Sequence, residues 1–331
     1  MRCAINGFGR IGRSVVRALF SSNYPNITLV AINELADIDS LVYLLRHDSV
    51  HGHFLKPEIT IDKANNAIKI GQQVIKILKQ PDLTKLDWAQ LQVDVVLECS
   101  GINTKDAASV HIKQGASKVL ISNPATADVD ATIVYGFNED TLRQEHKIIS
   151  NSSCTTNCCI PIINELDRLF QIERGAITTI HSLLNDQQVI DSYNKSFRLM
   201  RAANESIIPV DTRLAKGIDR ILPNLAGKFE AISVRVPTVN VSVLDVCLTL
   251  KQAVSVAQIN NAILELSKKI PQVVGWTDEP LVSIDFNGDK RSVVLDGTQT
   301  KVSDSHLVKL LLWFDNETAY AHRLLDVVSL L

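Results

Sequence analysis

Short apolar runs alternate with amphipathic stretches along the first third of the chain. Arg2–Asn6 is an apolar run of strand length, and residues 10–20 put Ile11, Val15, Val16 and Leu19 on one face of a helix. Residues 27–33 predict a second strand and residues 39–46 a second helix. Residues 93–99 and 118–122 are near-continuous apolar runs bounded by Gly101 and Pro124, the pattern of strands buried on both faces. Between them, residues 59–88 predict short strands and a turn at residues 63–66. This alternation predicts an α/β fold built on a doubly wound parallel sheet.

The texture changes near residue 150. Residues 176–180, 229–237, 239–251 and 281–286 predict longer strands with few helices between them. They suggest an open mixed sheet, covered on one face by a helix over residues 255–270. A last helix, residues 319–331, is apolar on two sides and is expected to dock back onto the first domain. No repeat or low-complexity linker separates the halves.

Composition narrows the classes. A chain of 331 residues suggests two domains, at roughly 150 residues each. With 46% hydrophobic and 21% charged residues it reads as a globular protein whose core needs no disulfides. Lys plus Arg total 34 against 36 Asp plus Glu, and no basic patch stands out, so no nucleic-acid partner is expected. No apolar run approaches the roughly 18 residues of a membrane span, so no membrane partner is expected. The segment Met1–Gly7 lacks the apolar core of a secretory signal. Six scattered cysteines fit a reducing, cytoplasmic compartment.

Two local sequences carry chemistry. Gly7-Phe8-Gly9-Arg10-Ile11-Gly12 fits G-x-G-x-x-G between a strand and a helix. The glycines permit a tight turn, a close diphosphate and close helix–strand packing, with the anion on unpaired N–H groups at the helix start. Glu34 follows the second strand and can accept from both adenosine-ribose hydroxyls, which favours NAD over NADP. FAD and S-adenosylmethionine share parts of this signature.

The second is Ser152-Ser153-Cys154-Thr155-Thr156-Asn157-Cys158-Cys159, polar and small around Cys154, before the helical pattern of residues 160–170. Cys154 then sits at a helix N-terminus, where the dipole favours a thiolate. Pro161 predicts a late start or a kink. His181 ends a predicted strand; beside Cys154 it would form a thiolate–imidazolium pair and move protons at a substrate oxygen. Cys158 and Cys159 read as packed residues. The cysteine and histidine spacing disfavours a metal site.

Ala4–Arg13, Ser153–Cys158, Arg235-Val236-Pro237-Thr238 and Trp313-Phe314-Asp315-Asn316-Glu317 together resemble the glyceraldehyde-3-phosphate dehydrogenase family, essentially end to end. Residues 33–37, 179–191 and 206–212, with Phe229-Glu230-Ala231-Ile232 and Asp296-Gly297-Thr298-Gln299-Thr300, look like its erythrose-4-phosphate dehydrogenase branch. The resemblance implies a Rossmann-type NAD-binding domain over residues 1–153 and 315–331, and an α+β catalytic domain over 154–314. It also implies NAD as cofactor, a small phosphorylated aldehyde as substrate, and a homotetramer.

Cys154 and His181 match the family's catalytic pair. Gly7, Phe8, Gly9, Arg10, Ile11, Glu34, Ser100, Ser122 and Asn316 match cofactor positions; Ser153, Cys154, Thr155, Thr212, Arg213 and Arg235 match substrate positions. The expected reaction oxidises erythrose 4-phosphate to 4-phosphoerythronate, with water releasing the acyl group. Two other readings stay open: a phosphorylating glyceraldehyde-3-phosphate dehydrogenase, and a non-catalytic NAD-binding or redox-sensing relative. The chain departs from the family at Leu199, where an Arg is usual, at Leu184, at Lys79-Gln80-Pro81 and at Thr318-Ala319.

Overall fold

The computed structural model describes residues 1–331. Seven α-helices are present: α1 (Arg10–Ser21), α2 (Ile38–Arg46), α3 (Lys105–Lys113), α4 (Cys154–Phe170), α5 (Leu214–Ile221), α6 (Val256–Lys269) and α7 (Thr318–Val328). The chain divides into two compact units, Met1–Ser153 with Tyr320–Leu331, and Cys154–Ala319.

The first unit is built on a nine-stranded sheet. Arg2–Asn6 lies at its centre between Thr28–Asn33 and Val95–Glu98, parallel to both. Cys3 through Asn6 are all buried, as an unbroken apolar run in a central strand requires. Lys118–Ile121 and Ile148–Ser150 extend the parallel order on one side. Ile59–Asp62, Ala67–Ile70 and Gln73–Leu78 form an antiparallel meander on the other. Tyr24 Oη donates to Asp326 at 3.0 Å and shares a 2.9 Å hydrogen bond with His322 Nδ1, tying α7 into this unit.

A buried carboxylate supports the parallel strands. Glu98 is fully buried, yet all its hydrogen-bonding needs are met. Its Oε2 accepts from Asn6 Nδ2 at 2.7 Å and His111 Nε2 at 2.9 Å. Its Oε1 accepts from the Ser100 N–H at 2.7 Å and the Ser100 hydroxyl at 2.6 Å. Trp88 Nε1 donates to His111 Nδ1 at 3.0 Å, so the His111 proton sits on Nε2 and faces Glu98.

The second unit holds an eight-stranded mixed sheet. Ile172–His181 is central, parallel to Phe229–Arg235 and antiparallel to Ser242–Leu250. Leu307–Phe314 continues the sheet antiparallel to Ser242–Leu250. The helix across this sheet is α4, which packs against four of its strands; α6 lies beside α4 over Val274–Thr277. Ser255 caps α6 in a reciprocal capping box with Gln258.

Three expectations change. Residues 281–286 do not form a strand: Ser283–Phe286 is a 3₁₀ turn, because the Asp285 carboxylate accepts from the Val282 N–H and closes the chain on itself. The helix of residues 255–270 does lie on the sheet, over Val274–Thr277, but shares that face with α4, which packs across four further strands. Pro161 neither delays nor interrupts α4. It forfeits one backbone bond in a helix whose Thr156–Ile163 stretch is wholly buried, and packing offsets that loss.

Glu98→Ala should destabilise the chain by about 3 kcal/mol or more, because it strands buried donors on Asn6 and His111. Urea unfolding measures this. A loss below about 1 kcal/mol would show that those donors find other acceptors.

Candidate active site

In the first unit the strand Arg2–Asn6 runs into the glycine turn, and α1 leaves it. Gly7 has φ +93°, and a Cβ there would stand 2.6 Å from the Ser100 nitrogen. A Cβ on Gly12 would stand 2.4 Å from the Gly7 oxygen, so strand and helix could not approach. Gly9 differs: nothing lies within 4 Å of where its Cβ would be. No side chain caps the start of α1, and its first turn carries no acidic residue. Uncapped N–H groups beside open space fit a dinucleotide diphosphate.

Gly7, Gly9, Glu34 and Ser100 line one cleft of about 490 Å³, together with Asn6, Asn33, Gln80 and Leu35 among others. Glu34 does more than the sequence suggests. Its Oε2 accepts from the Phe8 N–H at 2.8 Å and its Oε1 from the Leu35 N–H at 2.7 Å. Each oxygen keeps a second lone pair for a ribose hydroxyl, so Glu34 braces the turn and faces the cleft together.

Arg10 pairs with Asp48 at 2.5 Å. Phe8 is buried and contributes its backbone. Ile11 is half-buried in the first turn of α1. Ser122 is buried beyond the end of Lys118–Ile121 and lies outside the residues lining the cleft.

Sequence reasoning missed Asn33, whose amide ties the cleft floor together. It donates to Asn6 Oδ1 at 2.8 Å and to the Gln80 carbonyl at 3.0 Å, and accepts from the Gln80 N–H at 2.9 Å. A polar residue closing each of two apolar strands, Asn6 and Asn33, was the available signal.

In the second unit Cys154 opens α4 and His181 closes the strand Ile172–His181. The thiol Sγ lies 3.8 Å from His181 Nε2. The Ser182 carbonyl accepts from His181 Nδ1 at 2.8 Å, which leaves the Nε2 lone pair toward the thiol. Burial pushes the Cys154 thiol up to about 11, against the pull of Arg235 and the Thr155 N–H. Burial, helped by Arg235, pushes His181 down to about 4, against the Ser182 carbonyl and Glu317. Burial thus opposes the thiolate–imidazolium pair expected from the sequence, while Arg235 and the Thr155 N–H favour the thiolate.

Arg235 stands beside His181 across paired parallel strands, in direct register. Burial lowers the pKa of its guanidinium, and its Nε is buried without a hydrogen-bond partner. An unmet charged donor beside a nucleophile calls for an anion. Thr212 and Arg213 lead into α5; the Thr212 hydroxyl accepts from the Leu214 N–H at 3.2 Å, and Arg213 is exposed. Thr155 follows Cys154 in the first turn of α4, and Ser153 precedes it.

Ser182 acts twice. Its carbonyl sets the His181 tautomer, and its hydroxyl donates to Asn316 Oδ1 at 2.9 Å. Ser242 donates to the same oxygen at 3.0 Å. With Oδ1 held twice, the Asn316 NH₂ is left to meet an acceptor, as a nicotinamide carbonyl would be. Neither serine stood out in the sequence, because only the fold brings them to Asn316.

Family comparison agrees with both halves. A model described as glyceraldehyde 3-phosphate dehydrogenase, NAD binding domain, matches residues 1–106. Its companion, the glyceraldehyde 3-phosphate dehydrogenase C-terminal domain, matches residues 153–316.

A neutral pair has a kinetic signature. Iodoacetamide should alkylate Cys154 in the resting protein about tenfold faster per pH unit from neutrality upward, since the thiolate fraction climbs toward a pKa of about 11. A rate already level at pH 7 would show a preformed ion pair. His181→Asn should lower kcat by about 10²–10⁴ while leaving the upward slope of alkylation in place. The neutral form of His181 also contributes stability in full above its ordinary value of 6.5, lost as pH falls toward about 4.

Proposed function

From the premise that the chain belongs to the glyceraldehyde 3-phosphate dehydrogenase family, we propose that it oxidises D-erythrose 4-phosphate to 4-phosphoerythronate, with water releasing the product. It is an NAD-dependent dehydrogenase of that family, with NAD as cofactor. The observation that carries the chemistry is the 3.8 Å approach of Cys154 Sγ to His181 Nε2 beside Arg235.

The neutral imidazole is a general base for a thiol that is not yet ionised. As Sγ forms its bond to the aldehyde carbon, the thiol proton passes to His181 Nε2 and the carbonyl electrons move onto oxygen. The first N–H groups of α4 and the new imidazolium face that oxyanion. Bound NAD supplies the hydride acceptor. Loss of hydride restores the carbonyl as a thioester on Cys154. His181 releases the thiol's proton to solvent and, neutral again, takes a proton from water as its oxygen attacks the thioester carbon. The C–S bond breaks, the acid leaves, and the proton returns to Cys154.

Arg235 is the anion-binding group best placed in this unit, with its buried Nε unpaired. Water as acyl acceptor fits one departure from the phosphorylating pattern. Leu184 is apolar where those relatives carry Thr, as in the erythrose-4-phosphate branch, whereas Leu199 departs from both branches and favours neither. The segments shared with the erythrose-4-phosphate branch point the same way. The pathway this activity suggests is pyridoxal phosphate synthesis, and six cysteines without a disulfide fit a cytoplasmic setting. No helix is long and apolar enough to cross a membrane.

A homotetramer is part of the same proposal. The stretch after His181 exposes Val189, Ile190, Tyr193 and Phe197, the last two 82% and 85% exposed. Apolar surface on that scale marks an interface.

A paired assay tests the substrate. NADH should form from erythrose 4-phosphate without added inorganic phosphate. No turnover of that sugar, together with strictly phosphate-dependent oxidation of glyceraldehyde 3-phosphate, would overturn the reading in favour of the phosphorylating enzyme. Sedimentation equilibrium should give four times the 36.5 kDa chain mass, and a stable monomer would refute the tetramer.

A further inference from the structure

We propose that His47 and His53 form an exchangeable site for one divalent transition-metal ion of the zinc type. His47–Asp48 and Gly52–His53 make a two-stranded antiparallel pair in which His47 and His53 are direct partners. Opposed positions place both side chains on one face. Their Nδ1 atoms lie 3.0 Å apart, and the rings are nearly perpendicular at 89°. Two imidazole nitrogens bound about 2.0–2.1 Å from one ion, at tetrahedral to right angles, lie about 2.8–3.4 Å apart. The observed separation is inside that window, and both side chains are exposed to solvent.

Without metal, one Nδ1–H donates to the other ring's lone pair. When an ion enters, the donor ring moves its proton to Nε2, and both Nδ1 lone pairs bind the metal without net proton loss. The hairpin is already fixed from within. Arg17 Nη2 donates to the carbonyls of Leu45 at 2.9 Å and Gly52 at 2.8 Å, and the Phe54 N–H donates to the Arg46 carbonyl at 2.8 Å. The Asp48 Oδ1 accepts from the N–H groups of Val50 at 2.8 Å and His51 at 3.0 Å. Little ordering is left for the ion to impose.

No group of three or more His, Cys, Asp or Glu side chains suited to a metal occurs here, so water completes the coordination. That makes the ion exchangeable rather than structural. The hairpin also carries the Asp48 carboxylate that holds Arg10, so the ion would sit on the element that steadies the glycine turn.

Zinc titrated calorimetrically into the full chain carrying Cys154→Ser, which removes the active-site thiol, tests the proposal. One saturable site is expected, weakened about tenfold or more by His47→Gln and equally by His53→Gln. Copper(II) bound to the same protein should show two nitrogen donors in its electron paramagnetic resonance spectrum, reduced in either variant. No saturable binding, or an affinity unchanged by both substitutions, would overturn it.

Discussion

The hydrogen bond from His181 Nδ1 to the Ser182 carbonyl, 2.8 Å long, sets the chemistry of the second unit. An imidazole can be an acceptor at only one nitrogen while neutral, and this bond decides which one. With the proton held on Nδ1, the basic nitrogen faces Cys154. The carbonyl belongs to the residue that follows His181, so the base is oriented by its own backbone. The Ser182 side chain, bonded to Asn316, prolongs that control by one more group.

Electrostatics then distinguish a poised site from an activated one. Arg235 favours loss of a proton from both the thiol and the imidazole, while burial favours the neutral form of each. For His181 these effects act together, and for Cys154 they oppose. Burial therefore works against a resting ion pair, and Arg235 is the one charge beside the thiol that favours its ionisation.

In the first unit two carboxylates carry the corresponding burden. Glu34 and Glu98 each accept backbone N–H groups around the glycine turn, from Phe8 and Leu35 in one case and Ser100 in the other. A buried carboxylate is tolerated only when its lone pairs are met, so each one pins the donors that meet it. Glu98 is wholly committed to structure, through Asn6, His111 and Ser100. Glu34 keeps acceptor capacity facing the cleft. The difference follows from burial and not from residue type.

Sequence alone determined what depends on local order. The apolar run at Arg2–Asn6, the glycine spacing, the polar setting of Cys154 and the strand ending at His181 are contiguous patterns, and each states its own backbone requirement. Even there it left out the burial that opposes the helix terminus at Cys154, because burial depends on neighbours the local sequence does not name. It also read a strand where Asp285 turns the chain. Tertiary structure decided the pairings between distant residues: His181 with Arg235 through parallel register, Asn316 with Ser182 and Ser242, Glu98 with Asn6 and His111. It also set the burial that shifts Cys154 and His181. Desolvation and hydrogen bonding act over a few ångströms in space, whatever the separation along the chain, so only the folded chain fixes them.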